Sequence, residues 1–501
     1  MPLDTEKDSP PDALAADRAG IPDPDSQGPG SPRDSQAPWS QNIWKMLCVR
    51  MTRIFYRKPE IQGLENIPAT GPVLLAGNHV NALADAVVAQ FACPRPIHPI
   101  ARSGLFRSPI FRPVLRFIQA VPIKRRHPGA PPTDNSLAFE QIYRYLENGR
   151  VILIFPEGQS HSDPSLRPLK TGLARIAQGF YERTGRHVPV VPMGLTFTHK
   201  GRFRADVLVQ FGEPLELGEE PPSEPEAVSE QARAFTHRIT RGLRQVTLNV
   251  DSWQDLLLMR LVQKFFAIRS EDGAFVHADA EHESLSHRFR SLKRLDNTYR
   301  ALRLSCPDEV EDLRHKLARF QRLCRRYGVR NYQLDLRYTP RVVATFLLRS
   351  LFFALTVFPL ALWGAISSAL PYVATRWASR LASKGRDQYD TAGMLFGLGF
   401  FGVFWGLQTA WVAWTFDLRW AGLYALSLPL TAGIALRVGH QRHRILEEIR
   451  IFFLFTRRRD LQELLKAKRH DLEVDLVRLA RATAQAERRL SRRLGAEEPL
   501  K

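Results

Sequence analysis

The sequence predicts an α/β domain, a mixed sheet flanked by helices, followed by a helical region with C-terminal transmembrane helices. Three observations carry this expectation. Between residues 61 and 215, short apolar runs alternate with helical patterns, as they do where strands and helices are layered into one domain. From Ala227 to about Leu336 the pattern is helical and charged. Beyond it, Ser350–Ala374 and Thr391–Phe416 run for 25 and 26 residues without a charge, each longer than the roughly 20 residues that cross a bilayer core.

Taken in order, residues 1–38 hold eight prolines, seven aspartates and no aromatic residue, too little apolar surface to offset the entropy of ordering, so a disordered tail is expected. Across residues 39–58, Ile43, Trp44, Leu47, Met51, Ile54 and Phe55 recur at helical spacing among Lys45, Arg50, Arg53, Arg57 and Lys58. This is an amphipathic basic helix, packed on a domain core or lying in a membrane surface. The α/β domain is expected over 59–226, with strands at 72–78, 96–101, 120–125, 151–158 and 188–197 and a Glu- and Pro-rich loop at 216–226. A helical extension follows over 227–340. The membrane segments occupy 341–437, at about 350–374, 391–416 and 420–436, the third only 17 residues long. Basic clusters flank every segment, at Arg376, Arg380, Lys384 and Arg386 and again at Arg437, Arg442 and Arg444. A hairpin of the second and third segments, with the first re-entrant or in-plane at Pro359 and Pro371, would keep all of them on one side. Residues 438–501 form a C-terminal helical region with Leu461, Leu465, Leu472, Leu476 and Leu479 on one face.

The 501 residues and 44% apolar content suffice for a buried core. A net charge of +20 suits an anionic surface or a phosphorylated ligand as well as a polynucleotide. The basic runs at RRYGVR and TRRRD lack interleaved aromatic residues and sit beside the apolar segments, which favours lipid head groups and argues against nucleic acid. Cys48, Cys93, Cys306 and Cys324 show no paired spacing, so neither a disulfide framework nor a zinc site is expected. The cluster HADAEHE at 277–283 places His277 and His282 five residues apart, not the four that put two ligands on one helix face, and no metal is expected there.

Two constellations carry chemistry. In GPVLLAGNHVNALADAVV a strand ends at Asn78, His79 follows, and Asp85 begins a helix after five intervening residues. An acid so placed can hold an imidazole in one tautomer and stabilise its cation, leaving the other ring nitrogen to take a proton from an alcohol. The pair alone is weak, because a hydrogen-bonded histidine in a loop is common. In LIFPEGQSHSDPSLRPLKTG a second strand runs into Phe155, Pro156, Glu157 and Gly158, with Ser160 and Lys170 beside the turn.

With both in view, the sequence resembles the glycerophospholipid acyltransferases, the PlsC-like family, and within it the glycerol-3-phosphate and dihydroxyacetone-phosphate acyltransferase branch. The family's motifs fall in order over about residues 57–215: His79 with Asp85, VPIKR with Arg125, the FPEG run at Phe155–Gly158, and VPVVP ending in Pro192. The resemblance implies an O-acyltransferase of phospholipid biosynthesis, with a fatty acyl group passing from acyl-CoA or acyl carrier protein to a glycerol-phosphate acceptor. These thioesters are co-substrates, and no cofactor is implied. His79 would be the general base and Asp85 its partner. Arg125 would bind phosphate, which a guanidinium matches bidentately; Lys124, Arg126 and Lys170 are candidates for further contacts, the alternative being a solvated basic run for the first two and an exposed helix lysine for the third. Glu157 would orient acceptor hydroxyls, Gly158 would allow close backbone approach, and Ser160 would line the same site. Asn78, Phe155, Pro156 and Pro192 would shape the motifs. No acyl-enzyme is expected, since no cysteine lies in a motif and Ser160 lacks a nucleophile elbow. One departure stands out: five residues, not the family's usual four, separate His79 from Asp85, and the extra one must be absorbed by the turn at Asn81–Ala84. Acylation of lysophosphatidate or another lysophospholipid is the alternative reading, and a non-catalytic lipid-binding protein on the same scaffold is the alternative of another class. With no signal peptide expected, an integral membrane protein with its catalytic domain on the cytosolic face follows, its partners being membrane lipids, the thioester and the acceptor.

Overall fold

The structure, a computed structural model, describes residues 39–107, 109, 111–124, 134–200, 202–218, 220–266, 284–329, 333–334, 340–382 and 386–493. The tail, Arg125, Arg126 and the HADAEHE cluster lie outside the described residues.

Helix α1 (Trp39–Phe55) leads into β1 (Pro59–Gln62), β2 (Val73–Gly77), α2 (Ala82–Ala92), β3 (Ile97–Arg102), α3 (Phe111–Phe117) and β4 (Val121–Ile123). Next come α4 (Ser136–Glu147), β5 (Val151–Ile154), α5 (Gly172–Thr184), β6 (Val190–Phe197) and β7 (Val207–Phe211). The seven strands form one sheet in the order β1-β7-β6-β2-β5-β3-β4, parallel throughout except for the antiparallel pair β6 and β7. The mixed sheet flanked by helices is therefore present. β2 lies between β5 and β6, with Leu75 beside Leu153 on one side and Val191 on the other.

The central strands read as unbroken apolar runs because both faces are covered. Val73 and Leu75 of β2 pack with Cys48 and Phe55 of α1 and Val87 and Val88 of α2. Leu74 and Ala76, one residue out of step, pack with Ile142 of α4, Phe180 of α5 and Phe235 of α6 (Pro225–Val246). Period-two alternation thus assigns each side chain to one of two apolar layers. Two strands went unread in the sequence. β1 is four half-buried residues, and both β1 and β7 depend on distant partners: Arg57 donates Nε–H and Nη2–H to the Asp206 carboxylate at 2.9 and 2.8 Å, just before each strand.

α1 packs on the core through Cys48, Thr52 and Phe55 and leaves Trp39, Met46 and Ile54 exposed, so it meets the domain on one face and keeps an apolar outer face. The helical extension comprises α6, α7 (Trp253–Phe266), α8 (Leu285–Ser305) and α9 (Pro307–Tyr327). Three long helices follow, α10 (Pro340–Ala382), α11 (Arg386–Thr415) and α12 (Leu418–Arg457), each packed against the other two. Within them Leu351–Ala382, Tyr389–Thr415 and Leu418–Gly439 are long and apolar enough to cross a membrane. Of the two forms expected for the first segment, re-entrant or in-plane, the re-entrant one is corrected here. α10 is one continuous helix of 43 residues through Pro359 and Pro371, about 65 Å at 1.5 Å per residue, because neighbouring helices offset the loss of a backbone bond at each proline. α13 (Arg459–Arg493) packs Leu461, Leu465 and Leu472 against Leu317 and Phe320 of α9, so the leucine stripe serves internal packing.

Gly194 of β6 faces the end of α6 so closely that a Cβ would lie 1.9 Å from the Val246 carbonyl oxygen. Gly194→Ala is expected to cost about 1–3 kcal/mol or more through overpacking, which lowers the thermal midpoint of the detergent-solubilised protein by about 3–10 °C. An unchanged midpoint would refute this packing.

Candidate active site

The site forms where the parallel strands β2 and β5 end side by side, the usual mouth for a ligand in an open α/β sheet. At the end of β2, Asn78 is buried and its amide exchanges two hydrogen bonds with the Leu195 backbone, accepting its N–H at 2.7 Å and donating to its carbonyl at 3.1 Å. This ties the turn to β6. Pro192 of β6 sits opposite Ala76 of β2, and its carbonyl accepts from the Gly212 N–H at 2.8 Å.

His79 Nδ1 lies 2.9 Å from Asp85 Oδ2. The same oxygen accepts the backbone N–H groups of Val80 at 2.8 Å and Asn81 at 2.7 Å. An oxygen that already accepts two backbone N–H groups carries no proton of its own, so the hydrogen of the contact comes from the imidazole. His79 therefore carries its proton on Nδ1, and Nε2 presents a lone pair. Among the described residues nothing in the protein bonds to Nε2. Asp85 is wholly buried while His79 retains 15% exposure, so the acid is sheltered and the base is reachable. The extra residue of the spacing is absorbed as expected within the turn: Ala82 stands at φ +47°, a left-handed conformation that turns the chain back so that Asp85, in the first turn of α2, faces the imidazole.

The second loop grips His79 from below. Glu157 Oε1 accepts the His79 N–H at 2.7 Å, and the His161 N–H donates to the His79 carbonyl at 3.1 Å. Glu157 Oε2 accepts from His161 Nε2–H and from the Arg167 N–H at 2.9 Å. The Phe155 ring stacks on the imidazole, centroids 4.2 Å apart and planes at 11°. Gly77 leaves room for this, since a Cβ there would stand 2.9 Å from the Phe155 ring. Glu157 is buried and occupied by these three donors. It acts on the backbone of His79 and not toward open space. Ser160 Oγ likewise accepts the Ala82 N–H at 3.0 Å, holding the left-handed residue.

In front of His79 lies a cavity of about 260 Å³. Phe155, Pro156, Gly158 and Lys170 line one side, Arg102 and Lys124 the other, and Ile100, Phe139, Ile154, Leu173 and Ile176 supply apolar walls. Lys170 is positioned by its N–H, which donates to the Pro156 carbonyl at 2.9 Å. Gly158, at φ +75°, does permit a close approach, but the visitor is Lys170: a Cβ on Gly158 would lie 2.9 Å from its Nζ. Arg102 ends β3 just as His79 follows β2, a signal present in the sequence as a cation directly after an apolar run but not used there. His161, Asn81 and Tyr56 also escaped notice, since each acts through contacts remote in sequence.

Burial pushes the thiols of Cys93 and Cys324 up to about 11, and that of Cys48 higher still, so none of these three is a ready nucleophile. The arrangement suits removal of a proton from a hydroxyl held beside cations.

Residues 58–196 match the family model described as Acyltransferase. The chain is 29% identical over 141 residues to glycerol-3-phosphate O-acyltransferase 1 of Saccharomyces cerevisiae, covering 27% of this chain and 19% of that one. It is 24% identical over 197 residues to the 1-acyl-sn-glycerol-3-phosphate acyltransferase of Bacillus subtilis, covering 38% of this chain and 89% of that one. The crystal structure of the 1-acyl-sn-glycerophosphate (LPA) acyltransferase PlsC from Thermotoga maritima aligns with a TM-score of 0.30 at 22% identity, over 41% of this chain and 79% of that one. The chain thus spans about a fifth of the length of the yeast relative. Over residues 58–196 the chain is thus similar to the Acyltransferase family.

Glu157→Gln replaces one acceptor oxygen by a donor facing N–H groups. It is expected to cost about 1–3 kcal/mol of stability and to lower turnover by about 10–100-fold through the displaced imidazole. Thermal melts together with steady-state acyl transfer by the folded fraction check both effects.

Proposed function

We propose that the protein is a membrane-bound O-acyltransferase that moves a fatty acyl group from acyl-CoA or acyl carrier protein to the hydroxyl of glycerol 3-phosphate or dihydroxyacetone phosphate, with the catalytic domain on the cytosolic face. The observation that carries this reading is the His79 Nδ1 to Asp85 contact at 2.9 Å, with His79 lining a cavity that Lys170, Lys124 and Arg102 also line. His79 Nε2 takes the acceptor's hydroxyl proton as its oxygen attacks the thioester carbonyl. Asp85 steadies the imidazolium. The tetrahedral intermediate then collapses to the ester, the C–S bond breaks, and the imidazolium returns its proton to the leaving thiolate. Such general-base action contributes roughly 100- to 10,000-fold. Lys170, Lys124 and Arg102 offer the positive charge that a phosphate needs, with Arg125 as a further contact, and the aliphatic wall of Ile100, Ile154 and Ile176 suits the first carbons of an acyl chain. Glu157 and Ser160 serve this reading as supports of the His79 turn.

A second reading is acylation of lysophosphatidate, favoured by the greater coverage of the Bacillus relative, a 1-acyl-sn-glycerol-3-phosphate acyltransferase by name. Membranes or detergent-solubilised protein offered labelled acyl-CoA with glycerol 3-phosphate, dihydroxyacetone phosphate or lysophosphatidate separate the two. Transfer to the first two, reduced about 100- to 10,000-fold by His79→Ala, is the expected result. Transfer to lysophosphatidate alone would replace the leading reading by the second, and undiminished transfer by His79→Ala would overturn the general-base role. Lys170→Gln is expected to raise the acceptor's KM by about 10-fold or more, as loss of a charged hydrogen bond does, with little change in the KM for acyl-CoA. An unchanged acceptor KM would remove Lys170 from the phosphate site.

A further inference from the structure

The second apolar helix begins with an acid. Asp390 is fully buried inside the candidate span Tyr389–Thr415, a setting where a carboxylate is costly unless partnered and so points to a function. Its Oδ2 accepts from Asn81 Nδ2 at 2.6 Å, and the same amide reaches the Tyr56 hydroxyl at 3.5 Å. Asn81 and Tyr56 are both wholly buried. Asn81 is the residue before α2 and is of a type that commonly caps a helix with its side chain, yet it makes no such cap. Its amide is drawn to Asp390 instead. At the start of α11, Thr391 Oγ1 accepts the Ala84 N–H of the first turn of α2 at 3.1 Å, sharing it with the Asn81 carbonyl at 3.1 Å, and lies 3.5 Å from that carbonyl. The approach is close, since a Cβ on Gly393 would stand 3.3 Å from the Phe55 ring, and Met394 joins the core of the α/β domain. The contacts therefore converge on the turn containing left-handed Ala82, whose shape places Asp85 against His79.

We propose that Asp390 and Thr391 are positioning residues for the His79–Asp85 pair, so that acyl transfer depends on α11 being seated against the catalytic turn. This rests on the acyl-transfer reading above. The carboxylate holds the Asn81 amide away from the helix start, the threonine reinforces the Ala84 N–H bond there, and the turn keeps its five-residue form only while both are in place. An Asn81→Asp, Asp390→Asn exchange reverses the donor and acceptor but restores the bond.

The test uses the full chain in lipid nanodiscs. Asp390→Leu and Thr391→Val are expected to lower kcat about 10–100-fold, the scale of a small misplacement at a reacting centre, with both KM values within about twofold of the wild type by the same argument. Asn81→Asp alone, which opposes two carboxylates, should lose activity, and the exchange with Asp390→Asn should recover most of it. A kcat within about twofold of the wild type in Asp390→Leu and Thr391→Val would overturn the proposal, as would a change confined to KM. If Asp390→Leu does not fold, Thr391→Val and the exchange decide. Carbethoxylation of His79 by diethyl pyrocarbonate, resolved by mass spectrometry, reads the ring's setting without any acyl transfer. An altered rate in Thr391→Val supports the proposal even if no acceptor is acylated, an outcome that counts only against the acyl-transfer reading, whereas an unaltered rate overturns the proposal.

Discussion

The site depends on two buried carboxylates that hold one histidine from opposite sides. Asp85 collects the imidazole Nδ1–H and two successive backbone N–H groups on a single oxygen, while Glu157 takes the N–H of His79 itself. A buried carboxylate must be satisfied or it costs several kcal/mol. Here peptide N–H groups of the catalytic turn are among the donors to each, Val80 and Asn81 for Asp85 and His79 for Glu157. The requirement to pair the acids therefore becomes a requirement that the turn take one shape, and that shape fixes the tautomer in which Nε2 is a base.

The sheet makes this economical. β2 and β5 are adjacent and parallel, so the chain segments leaving them emerge at one edge, His79 from one and the Phe155–Gly158 run from the other. Phe155 covers one face of the imidazole, and the Pro156 carbonyl orders Lys170 at the cavity wall. The residues of the second motif divide their work. Glu157 and Ser160 turn inward and stiffen the His79 loop, whereas Gly158 and Lys170 face the cavity. A motif that reads as one cluster in the chain thus serves two layers of the site, because neighbouring residues in a turn point in different directions.

The three long apolar helices are not a detached anchor. Met394 joins the apolar layer beneath α2, and polar groups at the start of α11 meet the turn that carries Asn81. Burial raises the Tyr56 hydroxyl well above its ordinary range, with Asp390 and Asp85 adding to the effect. The phenol thus stays protonated, and its oxygen meets the Asn81 amide at 3.5 Å.

By itself the sequence determined the α/β domain, five of its seven strands, the three apolar helices and the pair His79 and Asp85. Each of these is written in local signals: apolar runs buried on two faces, uncharged stretches longer than a bilayer core, and an acid placed in the first turn of a helix. The same local reading placed the absorbed residue of the spacing at Asn81–Ala84, where Ala82 is left-handed. Only the tertiary structure decided the strands β1 and β7, the continuity of α10 through two prolines, the inward direction of Glu157 and Ser160, and the contacts of Asn81 with Asp390 and Thr391. These rest on partners more than 70 residues apart, such as His79 with Glu157, or more than 300 apart, such as Asn81 with Asp390. A local pattern shows that a polar group must be satisfied once buried, but which donor reaches it is settled when the distant segment has packed.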